Sequence, residues 1–323
     1  MAEQLTLASM AWQAKGKITK RERFLAEMNA VIPWASLVAI IKPYYPKAGN
    51  GTQPYPLELM LRIHCLQHWF NLSDPAAEEA LYDIESMRRF ARIELGVDRV
   101  PDETTILRFR RLLEMHALAE LLFREINGQL EGKGWLLRSG TIADATLIAA
   151  PSSTKNADAS RDPEMHQTRK GNQWHFGMKF HAGMDPNGLV HTLTATAANT
   201  ADITELPQLL HGDEQTVWGD AAYWKEDDRR RLLAEGKRYR INRRGTKDRP
   251  LTEHQRRVNR SRSRTRAKGE HGFHVVKHLW GFTKVRYRGL AKNLTRGFVA
   301  FGLANLYRLR RRLLPRTFRP CLS

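Results

Sequence analysis

The chain has 323 residues, 41% hydrophobic and 27% charged, a globular balance that excludes a disordered tail; its longest apolar runs, Ala35 to Ile41 and Phe298 to Leu306, are too short to span a bilayer. Two cysteines, Cys65 and Cys321, build no disulfide framework or zinc cluster, and the N-terminus lacks the stretches of a secretory signal, so a cytoplasmic setting is expected. The net charge of +19 points to a polyanionic partner, and residues 236–320 hold 26 Lys+Arg against three acids, which leaves the rest of the chain at −4. A merely soluble basic surface is the bland alternative. The interleaved Phe273, Trp280, Phe282 and Tyr287 favour an ordered basic surface over a loose tail.

From about Thr19 to Gly134 the apolar spacing is helical, as in Leu57, Met60, Leu61, His64 and Cys65. Ser73 caps a helix opened by Asp74-Pro75, Pro101 to Thr105 starts another through Leu113, and a further one is predicted from His116 to about Leu130. Both a compact bundle and a helix-turn-helix DNA reader fit this pattern, and periodicity does not separate them. At Gly140 the texture changes. Strands are predicted at Thr141 to Ala149, Met178 to Met184 and Leu189 to Ala197, the last two joined at Asp185-Pro186-Asn187-Gly188. A helix near Thr204 to Leu210, a strand at Gln215 to Asp220, a helix at Glu226 to Glu235, a strand at Arg238 to Asn242 and a helix from about Arg262 to Leu279 follow. This order makes an α/β unit, a five-stranded sheet covered by helices.

Three carboxylates stand out. Asp144 lies in mid-strand among Ile142, Ala143, Ala145 and Ile148, where a charge is costly unless a cation or hydrogen bonds satisfy it. Asp220 closes an apolar strand at the sheet edge where α/β proteins tend to place ligands. Glu270 is a lone acid on a helix carrying Arg262, Arg264, Arg266, Lys268 and Lys277, with Arg266, Glu270, His274 and Lys277 on one helical face. An Asp accepting a backbone bond and an ordinary Arg/Glu pair are the plainer readings of the first and last. Together the three acids could hold a pair of Mg²⁺ ions for phosphodiester chemistry, with the surrounding bases on the phosphates.

Long words of the sequence resemble the bacterial insertion-sequence transposases of the IS five family: Tyr45 to Gly51, Pro54 to Glu58, Asp144-Ala145-Thr146, Ala150 to Asn156, Arg161 to Thr168, Lys170 to Lys179 and Gly281 to Asn293. The resemblance covers nearly the whole chain. It implies a helical DNA-binding domain over 1–135, an RNase H-like catalytic core over 136–310 and a basic tail over 311–323. It also implies an acidic triad of Asp144, Asp220 and Glu270 holding two Mg²⁺ ions, with Mn²⁺ able to substitute. The family's basic signature falls on Arg266 and Lys277, and further DNA contacts are expected from Lys155, His175, Lys179, Arg286 and Arg288. Three positions depart from the family pattern: Ser263 stands where a Tyr is usual, Gly269 where an aliphatic residue is usual, and Ala221-Ala222 where Lys or Gly is common. Gly269 is expected to loosen its helix by about 1 kcal/mol relative to Ala.

The implied activity is transposition: binding of terminal inverted repeats, metal-dependent strand cleavage, and transfer of the freed end to target DNA. A homodimer on double-stranded DNA, in the nucleoid, is the expected assembly. A nuclease without strand transfer and a catalytically dead DNA-binding protein are the alternatives. His166, His175, His181 and His191 come without cysteine and predict no zinc site, and Ser152, Ser153 and Lys155 suit phosphate positioning better than a serine nucleophile. Trp174, beside His175, is a candidate for stacking on an unpaired base.

Overall fold

Side-chain caps set where several N-terminal helices begin. Thr19 and Glu22 close a capping box on α1 (Lys20–Val31), Ser73 accepts from the Ala76 amide to start α4 (Asp74–Asp83), and Asp102 accepts from Thr105 to start α6 (Glu103–Met115). Between and after them lie α2 (Trp34–Ile41), α3 (Leu57–Trp69), α5 (Glu85–Phe90) and α7 (Leu118–Gly132). The computed structural model describes residues 12, 14–50, 53–155, 159–315 and 317–318; Cys321 and the end of the basic tail expected over 311–323 fall outside these. The expected start of α7 at His116 moves to Leu118, because Ala117 takes a left-handed φ of 50°. Every residue of α3 from Leu59 to Trp69 is buried, Arg62, His64 and His68 included, so α3 is the centre of the helical bundle. No single described helix is long and apolar enough to cross a membrane.

The sheet holds six strands: β1 (Gly140–Ala149), β2 (His166–Lys170), β3 (Gln173–Met184), β4 (Val190–Ala197), β5 (Thr216–Gly219) and β6 (Arg238–Ile241). The five expected strands form the body, with β1 between antiparallel β3 and parallel β5, β4 outside β3, and β6 parallel to β5. This is the expected RNase H-like order. The sixth strand corrects the expected count: β3 begins five residues before Met178, and that extension pairs with β2 across Gly171-Asn172, where Gly171 has φ 61°. The turn at Asp185 to Gly188 forms as expected, with the Gly188 amide donating to the Asp185 carbonyl at 2.7 Å.

Two apolar layers cover the sheet. One face carries α8 (Leu206–Leu209) and α9 (Glu226–Ala234), whose Leu206, Leu209 and Leu232 pack with Val217, Tyr223 and Ile241. On the other runs α12 (Leu290–Leu313), which sequence periodicity left unassigned and which also takes in the start of the expected tail. Buried Phe301, Leu303 and Leu306 of α12 belong to one apolar cluster that reaches from Leu25 in α1 to Phe180 and Leu193 in the sheet. The core therefore runs unbroken across residue 135. A buried amide network pins it: Asn305 accepts from the Val190 amide at 3.0 Å and donates to the Val190 carbonyl at 2.7 Å and to Asn127 Oδ1 at 2.9 Å.

The basic helix expected from Arg262 to Leu279 is two helices. α10 (Glu253–Arg266) starts earlier, under a Thr252/Gln255 capping box, and a turn at 267–269 separates it from α11 (Glu270–His274), which runs into a π-turn over Val275–Leu279. The break has a steric reason. A Cβ on the buried Gly269 would sit 2.8 Å from Met184 Cε and 3.3 Å from Ile142 Cγ2, so at this point the chain lies against β1 and β3 as closely as a backbone can. The missing aliphatic side chain is what allows that approach.

Candidate active site

The register of β1 and β5 brings the two aspartates together. The ladder ends at the pair Ala143/Gly219, so the next residue on each strand, Asp144 and Asp220, comes at the point where the ladder stops and the strands are free to part. Asp144 Oδ1 accepts from the Ala145 amide at 2.9 Å, and Asp220 Oδ1 accepts from the Ala222 amide at 2.8 Å, which employs the Ala221-Ala222 step as an N-cap turn. Glu270, first residue of α11, extends over the same space with its side chain 60% exposed.

All three acids line one cavity of about 580 Å³, and Arg266 stands among them. Its guanidinium donates to Asp144 Oδ2 at 3.4 Å and to Glu270 Oε1 at 3.3 Å, both long contacts. Burial pushes the Asp144 carboxyl up to about 6 from its ordinary 3.8, Arg266 pulls it back, and the nearby charges of Asp220 and Glu270 push it up further. Among the described residues no three His, Cys, Asp or Glu side chains converge as a ready metal cage. The acids share a cavity without sharing a point, and Arg266 supplies part of the positive charge they call for. The donor set is nonetheless one for a hard divalent cation: carboxylate oxygens only, one of them desolvated and under repulsion that a cation would relieve.

The expected DNA-contact residues fall into three places. Arg266, Lys277 and Lys179 line the acid cavity. Lys277 Nζ donates to Thr146 Oγ1 and to the Leu147 carbonyl, both at 3.0 Å, and burial followed by the charge of Lys170 lowers its pKa. Lys179 is already paired, 2.7 Å from Asp202, so it braces the cavity wall with its charge spoken for. Arg286 and Arg288 line a separate cleft with Ser153, Ser160 and Arg161. There Arg286 donates to the carbonyl and side chain of Asn71 at 2.7 and 2.9 Å, tying the helical bundle to the catalytic unit, and Arg288 reaches Ser160. Lys155 is exposed on the loop after β1, and His175 stands half-buried on the β2–β3 hairpin.

Sequence reasoning passed over Thr168, Arg169 and Lys170 of β2, which also line the acid cavity. Only the Gly171-Asn172 turn signalled the hairpin that carries them. Across the hairpin Arg169 pairs with Trp174, a residue 67% exposed. His181 and His191 are held by threonines, at 2.7 Å to Thr196 and 3.1 Å to Thr141. Ser263, in the place of the usual Tyr, accepts from Asn242 at 3.0 Å and fastens α10 to the end of β6.

Comparison with known proteins agrees with this geometry. Residues 13–112 match a transposase domain (DUF772), and residues 135–306, more than half of the chain, match the transposase DDE domain. A solved structure, the crystal structure of the Mos1 strand transfer complex, aligns at 14% identity over 83% of this chain and 79% of that one, with a TM-score of 0.27, too low for any argument to rest on it. With strands in RNase H-like order, carboxylates gathered at the end of a parallel ladder and a family match over residues 135–306, the chain belongs to the transposase DDE domain family and is a metal-dependent enzyme that cleaves and transfers DNA strands.

Proposed function

We propose that the chain is the transposase of an insertion sequence of the IS five type, with Asp144, Asp220 and Glu270 as its catalytic carboxylates. The reading rests on one observation above others: three acids from β1, the end of β5 and the start of α11 line a single cavity ringed by Arg266, Lys277 and Lys170. Two Mg²⁺ ions, replaceable by Mn²⁺, would be held by those acids and would supply an activated attacking oxygen and charge relief at the leaving one. Arg266 and Lys277 hold the scissile phosphate, and Arg169 and Lys170 carry the strand away along the hairpin. The freed 3′-hydroxyl gives up its proton and forms a new phosphorus–oxygen bond to a target strand as that strand's own phosphorus–oxygen bond breaks. One phosphodiester replaces another.

The helices over 1–135 read the terminal inverted repeats, and two copies assemble on the paired ends, in the cytoplasm at the nucleoid. Incubation of the protein with a duplex carrying the terminal repeat, a plasmid target and Mg²⁺ or Mn²⁺ tests this reading. Cut ends joined to the plasmid, absent with EDTA, are expected. Cleavage without joined product would leave a nuclease, and repeat binding without turnover in any divalent ion would leave an inert DNA-binding protein.

The exposed Trp174 stacks on a base unpaired near the cut. Stacking of this kind contributes about 1–3 kcal/mol per base, so Trp174→Ala should slow cleavage of a fully paired end about tenfold or more. Mismatches at the cut site should restore most of the rate, and Trp174→Phe should keep it. An equal loss on paired and mismatched ends would rule the stacking role out.

A further inference from the structure

We infer that the groove between β6 and α10, at the sheet edge away from β4 and the α12 helix packed on it, holds the duplex that receives the cut end. The groove has a volume of about 710 Å³ and is lined by Ala221, Trp224, Arg243, Arg244 and Arg249, among others. Ala221 follows Asp220 directly, so the groove's inner end lies one residue along the chain from an acid of the cavity.

The outer wall continues along α10. This helix has no buried residue and is held to the sheet edge by polar contacts: Asn242 to Ser263, Asn259 to the Arg243 main chain at 2.9 and 3.1 Å, and Arg262 to the Ile241 carbonyl at 2.6 Å. Its other face is free. Arg256 and Arg260 stand one turn apart, exposed, and like Arg244 and Arg249 they have no ion pair or side-chain hydrogen bond among the described residues. Asp248 and Glu253 are the only acids between residues 236 and 269. Like charges four residues apart destabilise a helix, and folding gains nothing from this stripe; a phosphate backbone would neutralise it.

Position selects which duplex binds there. The cleft with Arg161 and Arg288 shares no lining residue with the α10 groove and is tied through Arg286 and Asn71 to the helical bundle. The inference rests on the transposase reading, in which that bundle holds the terminal repeat. Joining requires two duplexes at one cavity at once, and with that cleft taken by the element's end, the α10 groove is left for the recipient.

The test uses the full chain with Arg249→Glu/Arg256→Glu/Arg260→Glu, and the milder Arg256→Gln/Arg260→Gln as a check on folding. Joining of a precut end to a plasmid should fall at least about tenfold, with cleavage of the terminal-repeat duplex within about twofold of wild type. Binding to a duplex without repeats, measured over a salt series without divalent ion, should lose about one unit of salt slope per arginine neutralised. Joining within twofold of wild type, or cleavage falling in parallel with joining, would overturn the assignment. If wild type neither cuts nor joins, the transposase reading itself fails. The salt series still decides the groove in that event, since an unchanged slope removes it.

Discussion

Converting any one of Asp144, Asp220 or Glu270 to its amide is expected to cut cleavage of a terminal-repeat duplex in Mg²⁺ by at least about a thousandfold, a loss of about 4 kcal/mol of transition-state stabilisation. The amides make this a test of charge. Each acid accepts its main hydrogen bond through one oxygen, Asp144 from Ala145, Asp220 from Ala222 and Glu270 from Arg266, and a carboxamide oxygen accepts the same bond. Asn and Gln therefore keep size and that main bond, losing at Asp144 only the long second contact to Arg266, and remove the negative charge that a divalent cation requires. Repeat binding should persist in all three variants, because the helical bundle is untouched. Any one of them cleaving at a rate near wild type would remove that residue from the catalytic set.

Asp144→Asn should also make the metal-free protein more stable at neutral pH. The Asp144 carboxyl titrates near 6 in the folded chain, against an ordinary 3.8. Between those values the native state keeps a proton that the unfolded state has shed, so this group's contribution to stability falls as pH rises from about 3.8 to about 6 and stays low above that. The shift corresponds to about 3 kcal/mol, of which the variant forfeits part by weakening the Arg266 contact. A gain of about 2 kcal/mol, or a few degrees in Tm at pH 7.5, is expected, with the two proteins converging near pH 4. Adding Mg²⁺ should reverse the order by stabilising only the wild type. Parallel melting curves across that pH range would show that Asp144 is not under the burial and repulsion described.

Much of the catalytic unit was legible because local rules and tertiary structure agreed there. Asp185 to Gly188 announced a turn by composition, and the β1 and β5 strands were apolar runs each carrying one conspicuous acid. Glu270 stood out as a lone acid among bases. What escaped depends on pairing or packing. β2 reads His-Gln-Thr-Arg-Lys, with no apolar alternation, because most of the strand faces solvent on the sheet's margin. The break before Glu270 was hidden because helical spacing continues through it; only contact with Met184 and Ile142 explains why the helix stops. The protein partners of Lys179 and Arg286, both expected on DNA, were equally hidden: Asp202 and Asn71 lie 23 and 215 residues away. No sequence window contains both members of the Arg286–Asn71 pair.

The amide network of Asn127, Asn305 and the Val190 main chain bears on how such proteins can diversify. Exchange of the first 135 residues between two relatives would bring a foreign α7 against an unmatched α12, leaving buried amides without partners at a cost of about 1–3 kcal/mol each, on top of a mispacked apolar seam. On the reading in which the first 135 residues bind the terminal repeat, recognition is not a detachable cassette. New specificity is more readily reached by substitutions on the outer helix faces, or by exchanging both ends of the chain together.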